Sequence, residues 1–143
     1  MKKKIFIACA MHGKSLDYID AVRKQISLAV SILYDEQIEI IDQVHIADGD
    51  EIESFDETHQ RIFRLGRSIQ MLGSADLIIF ASDYGMANGC RVEKFICDVY
   101  KMPYKMYGDI LDELKKDSFK WGCFRHLVNT TYGKSSNNNS STT

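Results

Sequence analysis

The chain has 143 residues, 45% of them hydrophobic and 27% charged, with a formal net charge of -2. That length holds one domain with a real core, and the composition is that of an ordinary soluble globular chain. The near-neutral balance excludes the general basic field by which a chain holds nucleic acid.

The opening MKKK leads into an apolar run, Ile5 to Met11, which His12, Gly13 and Lys14 interrupt. The run is too short for a signal-peptide core and far too short to span a bilayer, so it is expected to be a basic lead-in to a buried first strand, Lys4 to Ala10. Ser15 is a suitable N-cap for a helix reaching about Tyr34. Its apolar positions Ile19, Val22, Ile26, Ala29, Val30 and Leu33 recur at three and four. Ile38 to Asp42 reads as a second strand, followed by an acidic loop from Val44 to Asp56. Ser54 and Glu57 have capping-box spacing for a second helix, from about Asp56 to Leu72, expected to bury Ile62, Leu65, Ile69 and Leu72. Gly73 ends it.

Leu77 to Ala81 is the third strand, and Gly89 to Lys101 the third helix, with Asn88 as its expected cap. Pro103 starts a short fourth strand, Tyr104 to Tyr107, and Asp109 to Lys116 closes the folded pattern as a helix. From about Thr131 the chain becomes polar and low in complexity, which predicts a disordered tail over 131–143 behind a single domain over 1–130.

Strands alternating with helices imply parallel strands and right-handed crossovers: an α/β doubly wound sheet of four or five strands. A strand order of 2-1-3-4 puts the topological switch point between strands one and three. The loops that follow those strands, AMHGKS (Ala10, Met11, His12, Gly13 and onward) and SDYGMANG (Asp83, Tyr84, Asn88, Gly89 among them), then meet at one crevice. Two glycine-containing loops, each feeding a helix N-terminus, suit an anionic or nucleotide ligand. Neither GxGxxG nor GxxxxGK[ST] is present, which argues against a dinucleotide oxidoreductase and a P-loop enzyme. Glu93, a turn and a half into the third helix, is the carboxylate at this crevice.

The four cysteines, at 9, 90, 97 and 123, form no CxxC pair. Cys90 and Cys97 are two helical turns apart, roughly 10 Å, too far for a disulfide or a shared zinc ion. Buried thiols in a reducing cytoplasm are the expectation. The acidic loop lacks the DxDxDG…E spacing of a calcium site, and His45 and His59 are isolated in sequence. No metal and no cofactor is expected.

IFIACAMHGKS resembles the opening of nucleoside 2-deoxyribosyltransferase-like proteins, in which a first strand runs into PMxGK. LGRSIQMLGSADLIIFASDYGMANGCRVEKFICDVYKMP resembles the pattern LGxSxxxL…AD…GWxxARGCxIEH…Y.IP of a small bacterial and phage branch, many of whose members lack an assigned function. Together these segments span roughly residues 4 to 107. The resemblance implies a flavodoxin-like (Rossmann-like) three-layer fold, a nucleoside or nucleotide site, and a nucleophilic role for Glu93, which would attack the anomeric carbon and displace the base. It also implies subunits that complete each other's sites, hence a homo-oligomer, with the aromatics Tyr104, Tyr107, Phe119 and Trp121 available to meet a partner.

The sequence departs from the transferases at the second-helix aspartate, where it has Ser68. It departs from the branch at Ala10, Tyr84, Asn88 and Lys94. Asp83 is the residue that can stand in for the second acid.

Each site residue also has a structural reading. Glu93 can serve the helix dipole, which would keep it ionised. His12 can be a solvated loop residue, Ser68 can pack against the sheet, Arg91 can make a surface ion pair, and Tyr84 can pack in its loop rather than stack on a base. Arg61, Arg64 and Arg67 recur at three as a stripe whose default reading is solvation.

Three functions follow. The first is cleavage or transfer at the N-glycosidic bond of a nucleoside or nucleotide through Glu93. The second is a non-catalytic protein that sequesters or senses a nucleotide or an ADP-ribose-type signal. The third is a scaffold with a vestigial crevice.

Overall fold

A computed structural model describes residues 2–35, 37–41 and 55–137, with side chains described as far as residue 130. Among the described residues four strands and five helices follow one another as β1 (Lys3–Ala8), α1 (Leu16–Tyr34), β2 (Ile38–Ile40), α2 (Glu57–Leu72), β3 (Leu77–Phe80), α3 (Asn88–Tyr100), β4 (Tyr104–Met106), α4 (Tyr107–Lys115) and α5 (Ser118–Asn137). A 3-10 turn, Tyr84–Met86, lies between β3 and α3.

All four strands are parallel, in the order β2-β1-β3-β4. β1 and β3 lie side by side in the centre, with Ile5 opposite Leu77 and Ala8 opposite Phe80. Both read as continuous apolar runs because each face of the sheet is covered, as a parallel sheet requires. Alternate residues feed opposite layers. Ile5, Ile7, Leu77 and Ile79 pack with Ile19, Ile26 and Val30 of α1, Ile110 and Leu114 of α4, and Phe124 of α5. Phe6, Ala8, Ile78 and Phe80 pack with Leu72 of α2 and with Cys90 and Cys97 of α3. The result is a three-layer, flavodoxin-like α/β fold.

After β1 the chain crosses through α1 to β2 on one side, and after β3 it crosses through α3 to β4 on the other. The switch point expected from the strand order therefore lies between the carboxyl ends of β1 and β3.

Local signals set most boundaries. Ser15 caps α1, its Oγ accepting from the Tyr18 N–H at 3.1 Å. The chain leaves that helix through Asp35, at φ 51°, which stands in the left-handed region where asparagine and aspartate are tolerated. Asp56 caps α2, accepting from the His59 N–H at 2.9 Å. The cap is thus Asp56 itself. Ser54, with the rest of the expected acidic loop over 42–54 and His45, lies outside the described residues.

Three expectations change. Ile62 is not in the core: it is 64% exposed, and only Leu72 at the far end of α2 is fully covered by the sheet. The N-terminal half of α2 overhangs the cleft described below, so its apolar stripe faces a space. Asn88 does not cap α3. Ala87 holds that position with no side-chain bond, and Asn88 is already helical.

The third change is α5, which periodicity alone did not reveal because glycine, histidine, asparagine and threonine dilute its pattern. Trp121, Phe124 and Val128, spaced three and four apart, dock it on α1 and α4. The helix continues to Asn137, inside the stretch that composition assigns to a tail. Residues 138–143 lie outside the described residues.

Candidate functional site

A cleft of about 890 Å³ opens at the switch point, within the range of pockets that hold small ligands. Its walls come from the loop after β1 (Cys9 to Lys14), from α2 (Thr58, Arg61, Ile62, Arg64, Leu65 and Ser68), and from the segment joining β3 to α3 together with the start of that helix (Asp83, and Met86 to Glu93). Nothing local brings α2 to the other two walls; the sheet order does.

The β1 loop is a tight turn. The Met11 carbonyl accepts from the Lys14 N–H at 3.0 Å, and Gly13, the third residue, has φ +75°. That conformation is costly for any residue with a Cβ, which is why glycine belongs there.

Asp83 ties this loop to the rest of the site. One carboxylate oxygen accepts from the Ala10 N–H at 3.2 Å and the other from the Tyr18 hydroxyl at 2.9 Å. The bond to Asp83 is the first cause of the raised pKa of the Tyr18 phenol. Asp83 is therefore at the cleft, as expected, but both of its oxygens are engaged in holding β1, α1 and the β3 loop together.

Glu93 stands at the cleft floor. It is 5% exposed, and its Oε2 has no hydrogen-bond partner among the described residues. Burial pushes its carboxyl up to about 7. This corrects the expectation that the helix N-terminus keeps Glu93 ionised: the dipole acts within the first turn, Glu93 lies beyond it, and desolvation wins. Ser68, a turn below Leu65 on α2, also lines the cleft with its Oγ buried and without a partner among the described residues.

Cys9 and Cys90 flank the floor. Burial raises their thiols to about 11 and about 12 respectively, so both are neutral packing groups rather than nucleophiles. The four cysteines are free.

Of the residues expected at the site, Ala10, Met11, His12, Gly13, Ser68, Asp83, Asn88, Gly89 and Glu93 share this one cleft. Two do not. Tyr84 turns toward the sheet, edge-on to Phe80 at a centroid distance of 5.6 Å, so it packs in its loop and is not placed to stack on a ligand. Arg91 is exposed on α3, away from the cleft.

Conversely, Arg61 and Arg64, read as a solvated stripe, are cleft residues. The signal was present: Arg61, Leu65 and Ser68 fall at i, i+4 and i+7, on one face of α2. Among the described residues no group of three or more His, Cys, Asp or Glu side chains could hold a metal ion. None of the described helices is long and apolar enough to cross a membrane.

Comparison of the chain with family models, with curated proteins and with solved structures returns no match.

Proposed function

We propose that the cleft binds a nucleoside or nucleotide and that Glu93 acts on its N-glycosidic bond. The observation that carries this reading is a buried carboxylate with a free oxygen at the switch-point cleft of a doubly wound sheet. A group with its pKa near the working pH, in a water-poor site, suits nucleophilic chemistry. The resemblance of AMHGKS, LGRS and GCRVE to nucleoside 2-deoxyribosyltransferase-like proteins supports the choice of ligand.

In the proposed reaction, an ionised Glu93 oxygen forms a bond to the anomeric carbon while the bond from that carbon to the base nitrogen breaks. The electron pair leaves with the base, which takes up a proton; His12, exposed on the cleft wall, is the candidate to deliver it. Water or a second base then attacks the anomeric carbon and releases Glu93.

One observation favours the second reading, a binder without turnover. Among the described residues Asp83 is the one other carboxylate on the cleft wall, and both its oxygens accept hydrogen bonds. A site without a free second acid recognises a nucleotide more readily than it cleaves one.

Incubation with a panel of deoxynucleosides, their monophosphates and NAD-derived nucleotides separates the two. Free base, seen by chromatography and lost by a factor of ~10⁴ or more in Glu93→Gln, identifies an enzyme. A saturable thermal shift without base release identifies a binder. Neither signal across the panel removes both readings.

We also propose that the chain works as a homo-oligomer, through α3 rather than through the aromatics of 104–121. Tyr104, Tyr107 and Trp121 pack within the chain, leaving Phe119 exposed. Val92, Phe95 and Val99, 40%, 68% and 54% exposed, form a stripe along α3, and Ile62 and Met86 extend it to the cleft mouth. An apolar strip of this kind on a charged surface is the mark of an interface core. Light scattering at micromolar concentration should show a dimer or larger, shifted toward monomer by Phe95→Glu; a wild-type monomer would count against it.

A further inference from the structure

The loop after β1 is held from outside itself. Beyond the strands, the Ala81 N–H still donates to the Ala8 carbonyl at 2.9 Å. The Asp83 carboxylate carries the link one step further, one oxygen accepting from the Ala10 N–H at 3.2 Å. Its other oxygen accepts at 2.9 Å from the hydroxyl of Tyr18, in the first turn of α1. Ala10 opens the loop, and Ser15, whose Oγ accepts from the Tyr18 N–H, closes it. One carboxylate thus bridges the two ends of the loop. Between those ends, among the described residues, one backbone bond closes the turn, from the Lys14 N–H to the Met11 carbonyl. His12, Gly13 and Lys14 are exposed. Directly before Ala10 lies Cys9, 3% exposed at the cleft floor.

Tyr18 does not line the cleft. Its side chain is 39% exposed, with Lys14 Nζ 5.0 Å from its ring. Its hydroxyl is tied to a carboxylate, an acceptor of the stronger class, and that bond is the first cause of the raised pKa of the phenol. We propose that Tyr18 is a positioning residue of the cleft: acting through Asp83, it keeps the β1 loop closed over the cleft floor. Tyr18 does this for a nucleoside or for any other ligand. A loop pinned at both ends has little freedom left to lose when a ligand arrives. Released at the Tyr18 end, its exposed residues swing, and water reaches the floor beside Cys9.

The test is alkylation of the full chain by iodoacetamide, read residue by residue with peptide mass spectrometry. The Cys9 sulfur bonds to the reagent's carbon as iodide leaves, so labelling of Cys9 reports opening of the floor. Cys97, fully buried in α3, is the reference for global unfolding. Cys9 should label faster than Cys97, and urea below the unfolding midpoint should speed Cys9 far less, because a loop opening exposes little surface. Tyr18→Phe is expected to speed Cys9 labelling about fivefold or more, the worth of one hydrogen bond. Asp83→Ala, which removes both bonds, should speed it further. Adding Tyr18→Phe to Asp83→Ala should then change nothing, since Tyr18 acts through Asp83. Equal Cys9 labelling in the wild type and in Tyr18→Phe would overturn the proposal. So would a gain from Tyr18→Phe that persists when Asp83 is alanine. Labelling of Cys9 and Cys97 with the same urea dependence in the wild type would overturn it without any variant, because the floor would then open only with the whole fold. None of these outcomes touches the nucleoside reading, which base release and thermal shift decide separately.

Discussion

Glu93→Gln should make the protein more stable above neutral pH, by on the order of 3 kcal/mol. The cause is the burial that raises the Glu93 carboxyl to about 7 from an ordinary value near 4.5. The folded state holds this proton more tightly than the unfolded chain does. The stabilisation is therefore complete below about pH 4.5, declines as pH rises from there through about 7, and is gone above that. Glutamine has the same shape and no charge to desolvate, so its advantage over the wild type should grow across that window and level off beyond it. Urea denaturation of both proteins at several pH values measures this directly. A difference that stays flat from pH 4 to 9 would mean that Glu93 is hydrated in solution, and the raised pKa would be wrong. If Glu93 is also the nucleophile, base release should rise with pH through about 7 and then plateau, because the ionised form reacts. Stability and turnover would then run in opposite directions with pH, the trade expected where a destabilising group is kept for its chemistry.

Phe80→Ala should cost about 3–5 kcal/mol, a large part of the stability of a domain this size. Phe80 is fully buried at the end of β3. Its ring meets Tyr84 at 5.6 Å and Tyr104 at 5.5 Å, both edge-on, so truncation removes two aromatic pairs as well as buried area. The damage should reach the cleft. Tyr84 begins the 3-10 turn whose neighbour Asp83 binds Ala10 and Tyr18, and the missing ring removes the support under that turn. Phe80→Leu, which keeps most of the volume, should cost less than about 1.5 kcal/mol. Chemical denaturation reads both, and a loss below about 1 kcal/mol in Phe80→Ala would show that the ring is not packed as described.

The sequence by itself determined the sheet. Apolar runs at Ile5 to Ala8 and Leu77 to Phe80 read as strands covered on both faces, and the helices between them imply parallel order and, for the order 2-1-3-4, a crevice beyond β1 and β3. It also determined that Gly13 turns a loop there and that Glu93 lies in the helix entering the same crevice, since both follow from spacing along the chain.

What the tertiary structure decided is what stands opposite each of these groups. A helix pattern marks an apolar face without saying whether a sheet or a cleft lies across from it. The face carrying Ile62, Leu65 and Arg61 therefore read as core and surface when it is a cleft wall. Tyr84 and Asp83 are adjacent in sequence, yet one turns into the sheet and the other ties three segments together. The proton affinity of Glu93 depends on how much water its neighbours exclude. Those neighbours come from the β1 loop and from α2 as well as from α3, distant stretches that meet only once the strands have paired.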